Sequence, residues 1–134
     1  MKLTVAAALL IAAGPVFAQP LPGATALPSP PLSGDQVYQQ VCQACHMANA
    51  MGATGAGRIA ALAGNKNLAF PEYPIGVVTG GKGAMPWFRG QLTDQQIADV
   101  IGYIRTHFGN NYRAKVTAAQ VAESGVPAPH ESER

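Results

Sequence analysis

Cys42 and Cys45 are the only cysteines in the chain, and His46 follows the second directly. Any fold for this chain must bring two thiols and an imidazole together at the end of one short segment. A disulfide between the two cysteines would close a very short loop and stabilise little, because the gain grows with loop length. Fifteen glycines and eleven prolines in 134 residues leave few side chains for a core, in a chain of one-domain length. Small domains bury only a modest fraction of their surface, so the middle of this one is expected to hold something besides side chains.

Composition and charge narrow the function classes. The chain is 12% charged with a formal net charge of +2, without the clustered Lys/Arg footprint of nucleic-acid binding. The N-terminus "MKLTVAAALLIAAGPVFAQP" reads as a secretory signal peptide over residues 1–18: Lys2 is the positive n-region, Leu3 to Ala13 is apolar apart from Thr4, and Val16-Phe17-Ala18 is a small-residue cleavage site. The competing reading is a membrane anchor. A spanning helix needs about 20 apolar residues, and this run is shorter and stops at Gly14-Pro15, so the mature chain, from Gln19, is expected to have no transmembrane span. No cysteine at the cleavage site could accept a lipid. Residues 19–32 are rich in proline and read as an extended linker or tether.

A folded unit is expected over 33–113. Ser33 and Gln36 have capping-box spacing and start a helix that carries Cys42 and Cys45 near its end. Residues 49–57 form a Gly-rich loop; no strand precedes it, so a phosphate-cradling turn is not supported. A short helical piece spans about Tyr73 to Val78. The strongest helix runs from Thr93: Gln96 closes a second capping box, and Ile97, Val100, Ile101, Ile104 and Phe108 repeat at the helical period. Arg105 and His107 lie in its last turn and Gly109-Asn110 ends it. The tail 114–134 is expected to be peripheral. No strand signal is convincing.

Cys-x-x-Cys-His is the attachment sequence for c-type haem. Residues three apart share a helix face, so both sulfurs can bond the vinyl groups of one porphyrin edge, and the next imidazole can reach the iron. His46 would be the proximal ligand, with its other ring nitrogen donating to a backbone carbonyl. A zinc ribbon would need a second ligand pair. A thiol-disulfide exchanger would need the pair at a helix N-terminus after a strand. Export favours haem, whose covalent attachment is completed outside the cytoplasm.

With "GAMPWF" (83–88) and the C-terminal helix added, the sequence resembles a class I cytochrome c of the bacterial periplasm over about residues 33–113. The resemblance implies an all-α fold, three to four helices around one covalent haem c, bound through Cys42 and Cys45. In that family a Met-Pro on a Gly-rich loop supplies the second axial ligand, and Met85-Pro86 matches it. The residues agree. Met47 adjoins His46, Met51 would need a very tight wrap, and Met85 lies 39 residues beyond His46. Pro86 biases Met85 toward extended backbone. His107 remains a second candidate; His130 falls in the tail. The family also implies a crossing of the first and last helices, with Gly34, Tyr38 and Tyr103 at the contact. Relatives often have Pro-Pro where this chain has Ala60-Ala61, near the carbonyl that accepts from the proximal histidine. Leu62, Tyr73, Trp87 and Phe88 are candidate haem packers, and Arg58, Asn65 and Trp87 candidate propionate contacts.

His and Met on opposite faces leave no open position on the iron and raise its potential. The expectation is therefore an electron carrier and not an enzyme, with an apo form that is largely unfolded. The C-terminal part is similar to cytochrome subunits that accept electrons from periplasmic dehydrogenases such as alcohol dehydrogenases. The "FGN" at 108–110 and Val116 to Ala122 match that group, whose members often hold several haems. A dehydrogenase is the expected donor, and an oxidase or another cytochrome the acceptor, with mainly apolar docking of weak salt dependence. The alternatives are a fixed relay subunit of a respiratory oxidase, and a peroxidase-like haem enzyme with an open iron.

Overall fold

A computed structural model describes residues 31–55 and 57–127. The expected signal peptide, nearly all of the Pro-rich linker and His130 lie outside the described residues. Helix α1 runs through three consecutive pieces: α-helical Gly34–Val37, π-helical Tyr38–Cys42 and α-helical Gln43–His46. The Ser33 N–H donates to Gln36 Oε1 at 3.0 Å, as the capping-box spacing requires. The π turn, in which the Gln43 N–H reaches back to the Tyr38 carbonyl, has no sequence signal. Such turns occur often at functional sites.

The reading of no strands needs one correction. Ala53–Thr54 (β1) pairs antiparallel with Arg58–Ile59 (β2), Ala53 opposite Ile59 and Thr54 opposite Arg58. Two residues per strand are too few for alternation to show. Backbone approach makes the pairing possible: Gly52 has φ +66, and a Cβ there would lie 2.3 Å from the Ile59 carbonyl oxygen. The chain remains predominantly helical. A 3₁₀ turn follows at Lys66–Ala69, then α2 (Glu72–Gly80), α3 (Asp94–Thr106) and α4 (Ala118–Ser124).

Helix α3 is N-capped as its sequence predicts, but it ends at Thr106, short of the expected Gly109-Asn110 stop: His107 is extended and Phe108 has φ 57. The Gln96 N–H donates to Thr93 Oγ1 at 3.2 Å, and the Thr93 N–H donates to Gln96 Oε1 at 2.9 Å. Its apolar stripe supplies Ile97, Val100, Ile101 and Ile104 to the core, where they meet Val37 and Tyr38 of α1, Ile75 of α2 and Leu68. Helix α4 corrects the expectation that the chain beyond Arg113 is peripheral. Thr117 and Gln120 form a third capping box, at 3.2 and 3.0 Å, and Val121 is fully buried against α3. Too few apolar residues lie in this segment to show a period; the cap was the only readable signal.

Two buried polar side chains tie the loops to α3. Arg105 is not merely a complement to the helix dipole. It is 1% exposed, and its guanidinium donates to the carbonyls of Leu68 (2.8 Å), Ala69 (3.2 Å) and Ala114. Asn110 donates to the Leu62 and Ile104 carbonyls, both at 2.8 Å, and accepts from the Asn65 N–H at 2.9 Å. Buried polar groups of this kind stabilise only when they find partners, and every side-chain nitrogen and oxygen of these two has at least one.

The contact of α1 with α3 has almost no tolerance. A Cβ on Gly34 would lie 2.2 Å from the Asp99 carbonyl oxygen. The Tyr38 ring packs 5.7 Å from Tyr103 and 4.9 Å from Phe108, centroid to centroid. We therefore expect Gly34→Ala to destabilise the fold by about 3 kcal/mol, the upper range for overpacking. Thermal denaturation of the haem-loaded protein measures this, and a midpoint equal to wild type would contradict the geometry.

Candidate functional site

The core elements enclose a cleft of about 640 Å³, within the range of small-molecule sites, about 300–1,000 Å³. Cys42, Cys45 and His46 line it from the end of α1. Leu62 comes from the following loop, Tyr73 and Val78 from α2, Met85 and Phe88 from the loop after α2, and Val100 and Ile104 from α3. The lining is mainly apolar. Val100 and Ile104 are four residues apart, so the stripe that builds the core also faces the cleft.

His46 is nearly buried, and its Nδ1 lies 2.9 Å from the Ala60 carbonyl oxygen. A carbonyl can only accept, so Nδ1 carries a proton, and Nε2 is the nitrogen left to act as a ligand in the neutral ring. The bond forms although Ala60-Ala61 stand where relatives often have two prolines. Hydrogen bonds replace ring rigidity here: the N–H groups of Leu62 and Ala63 donate to the Ala50 carbonyl at 2.8 and 3.0 Å, and Asn110 holds the Leu62 carbonyl from the other side.

Directly after His46 the chain reverses at a cost. Met47 has φ 67 and ψ 162, a region essentially reserved for glycine. The Tyr38 hydroxyl donates to its carbonyl at 2.7 Å, and the Gly52 N–H donates to the His46 carbonyl at 3.1 Å. The two cysteines are not bonded to each other. Burial against the cleft wall, with a smaller push from Cys45, raises the Cys42 thiol to about 11, so it is neutral at pH 7.

Met85 arrives on a tight reversal. The Lys82 N–H donates to the Met85 carbonyl at 3.0 Å and the Met85 N–H to the Lys82 carbonyl at 3.1 Å. Gly83, the first central residue, has φ +60, as a type II′ turn requires. Gly81 is needed too: a Cβ there would lie 2.7 Å from the Met85 carbonyl oxygen.

The remaining expected residues divide. Leu62, Tyr73, Phe88, Arg58 and Asn65 line the cleft. The Asn65 amide is already engaged, donating to the Ala61 carbonyl at 2.8 Å and accepting from the Asn67 N–H at 3.0 Å. Trp87 is not among the lining residues and is 44% exposed; Pro86 and Phe88 on either side of it take the inward positions. Met47 and Met51 are exposed and do not line the cleft. His107 stacks on Tyr103 at 4.2 Å, outside the lining. Lys82, which the sequence reading missed, lines the cleft with its ammonium 5.1 Å from the Tyr73 ring centroid. Its only signal was its place on the Gly-rich loop.

The donor set suits a covalently attached porphyrin. Two thiols and one oriented imidazole sit at the end of one helix, a thioether comes from a distant loop, and apolar walls surround them. Among the described residues no group of three His, Cys, Asp or Glu could hold a metal by itself, and no helix is long and apolar enough to cross a membrane.

Comparison with known proteins agrees. Residues 29–104 match the family described as "Cytochrome C oxidase, cbb3-type, subunit III". The chain is 37% identical over 108 residues to the gluconate 2-dehydrogenase cytochrome c subunit of Pantoea cypripedii, covering 67% of this chain and 23% of that protein. It is 33% identical over 113 residues to the cytochrome c subunit of a quinone alcohol dehydrogenase from Gluconobacter oxydans, covering 71% of this chain and 23% of that protein. The chain thus spans about a quarter of the length of these dehydrogenase subunits. Against cytochrome c6 of Picosynechococcus sp. the identity is 38% over 119 residues, covering 83% of this chain and 98% of the relative.

The strain at Met47 is directly testable. Met47→Gly removes the Cβ that its backbone disfavours, and we expect a gain of about 1 kcal/mol. A raised thermal midpoint in the haem-loaded protein would show this; an unchanged or lowered one would place no strain at that residue.

Proposed function

The chain belongs to the class I c-type cytochromes, and from that membership we propose that it is a periplasmic carrier of one haem c with His46 and Met85 as axial ligands. Proteins of this family bind haem c covalently and transfer electrons; they are not catalysts. One observation carries the finer reading: Cys42, Cys45, an oriented His46 and Met85 all line the same apolar cleft.

Haem c in that cleft supplies a one-electron Fe(III)/Fe(II) couple. Cys42 and Cys45 would tether the macrocycle by thioether bonds. Ala60 fixes the His46 tautomer, so its Nε2 is the free donor. Met85 would fill the opposite position and leave no place for a substrate. Val78, Val100, Ile104 and Leu68 exclude water, which limits the rearrangement accompanying electron transfer. Arg58 and Lys82, two cations of the lining, would be available to pair with the haem propionates.

A periplasmic dehydrogenase is the proposed donor, and an oxidase or another cytochrome the acceptor. The two dehydrogenase cytochrome subunits support the donor. The nearly full-length match to cytochrome c6 supports a self-contained single-haem unit. The description of the matched family favours a second reading, a fixed relay in an oxidase. Reduction of the purified protein by a quinone-type dehydrogenase at a rate insensitive to salt would favour the carrier.

Expression of the full chain with haem-attachment machinery tests the site. We expect a mass increase of one macrocycle and a sulfur-to-iron charge-transfer band in the oxidised spectrum. Met85→Ala should abolish the band and let the reduced protein bind CO. A wild-type protein that lacks the band and binds CO readily would instead indicate an open iron and a haem enzyme.

A further inference from the structure

The loop that carries Met85 joins α2 to α3, and both of its ends are tied to the C-terminal segment. Where the loop begins, Thr79 is fully buried. Its hydroxyl donates to the Ile75 carbonyl at 2.7 Å and accepts from the Val126 N–H at 2.9 Å. The next residue, Gly80, has no space for a side chain, since a Cβ would lie 2.9 Å from Val126 Cγ2.

Where the loop ends, Arg89 reaches the C-terminal end of α4. Its Nη1 donates to the Val121 carbonyl at 2.9 Å and its Nη2 to the Ala122 carbonyl at 3.4 Å. These are among the last carbonyls of α4, where the helix dipole favours a cation; that of Val121 also accepts from the Gly125 N–H at 2.9 Å. Nη1 also lies 3.3 Å from the Asp94 carboxylate at the start of α3. The two anchors converge at Gly125. A Cβ there would lie 2.4 Å from Arg89 Nη1 and 3.0 Å from Thr79 Cγ2.

Between the anchors the loop has little else. The Gly81 N–H donates to the Val77 carbonyl at 2.8 Å and the Phe88 N–H to the Val78 carbonyl at 2.9 Å, and the remaining backbone bonds lie within the loop. A loop held this way opens locally at a free energy set by its end contacts.

We propose that Thr79 and Arg89 are positioning residues for Met85, acting through the segment from Thr117 to Val126, which straps down both ends of the methionine loop. The proposal rests on the reading of Met85 as an axial ligand. The strap makes displacement of the thioether expensive, because an incoming ligand must first free the loop. It sets ligand retention without touching the cleft; neither Thr79 nor Arg89 lines it.

Imidazole titration of the oxidised, haem-loaded full chain tests this, followed by loss of the sulfur-to-iron band. Arg89→Met should bind imidazole about tenfold more tightly than wild type, the effect of losing one charge-assisted hydrogen bond. Arg89→Lys keeps the charge without the two-pronged reach and should fall between. Thr79→Val, which keeps the shape and removes the hydroxyl, should shift affinity in the same direction. Ile97→Val, a truncation of a buried α3 side chain that makes neither anchor bond and does not line the cleft, should lower the thermal midpoint without moving imidazole affinity. If Arg89→Met or Thr79→Val folds, retains the band and titrates like wild type, the strap is refuted. An Ile97→Val shift as large as theirs refutes it too, because general stability would then account for all three. A wild-type spectrum without the band overturns the axial reading itself, and the strap with it.

Discussion

The close approach of α1 to α3 at Gly34 governs the rest of the architecture. With no side chain between the Gly34 backbone and the Asp99 carbonyl, the helix that ends in Cys42, Cys45 and His46 lies directly on the helix that supplies Val100 and Ile104. One wall of the cleft and its attachment residues are thus set by a single contact. Tyr38, four residues on, reinforces it by packing on Tyr103 and Phe108 while its hydroxyl holds the strained carbonyl of Met47. The strain is local, and the contacts that overdetermine it lie on both helices.

Around this crossing, polar side chains do the work that regular structure does elsewhere. Long stretches of the chain are neither helix nor strand, and their carbonyls need partners. Arg105 donates three bonds to carbonyls and Asn110 two, and three of these five, to Leu68, Ala69 and Leu62, join segments far apart in sequence. Arg89 and Thr79 do the same for the methionine loop. A fold with a large apolar cleft at its centre cannot rely on hydrophobic packing there, and buried hydrogen bonds hold its perimeter. Covalent haem, which the family carries, would complete the core from within.

The comparisons separate unit from assembly. The same stretch matches a small cytochrome over nearly its full length and large dehydrogenase subunits over about a quarter of theirs. Electron transfer through a c-type haem is common to this family. The described surface also carries exposed apolar side chains, Phe70 and Trp87 outside the cleft lining and Tyr73 within it.

Local chemistry was legible from the residues. Capping boxes at Ser33 and Thr93, the apolar period of α3, and the spacing of Cys42, Cys45 and His46 act over four to a dozen residues, so pattern alone reports them. Long-range agreements were not. The acceptance of the His46 proton by Ala60 without flanking prolines depends on Ala50 and Asn110. The π turn depends on how α1 must present its end. The burial of Arg105 and Val121 and the outward position of Trp87 depend on which segments meet. By itself the sequence determined where α1, α2 and α3 lie, the attachment motif and the family resemblance, but not α4. Only the tertiary structure decided which loops are held, by what, and how firmly, because those bonds join residues whose separation along the chain leaves no periodic trace.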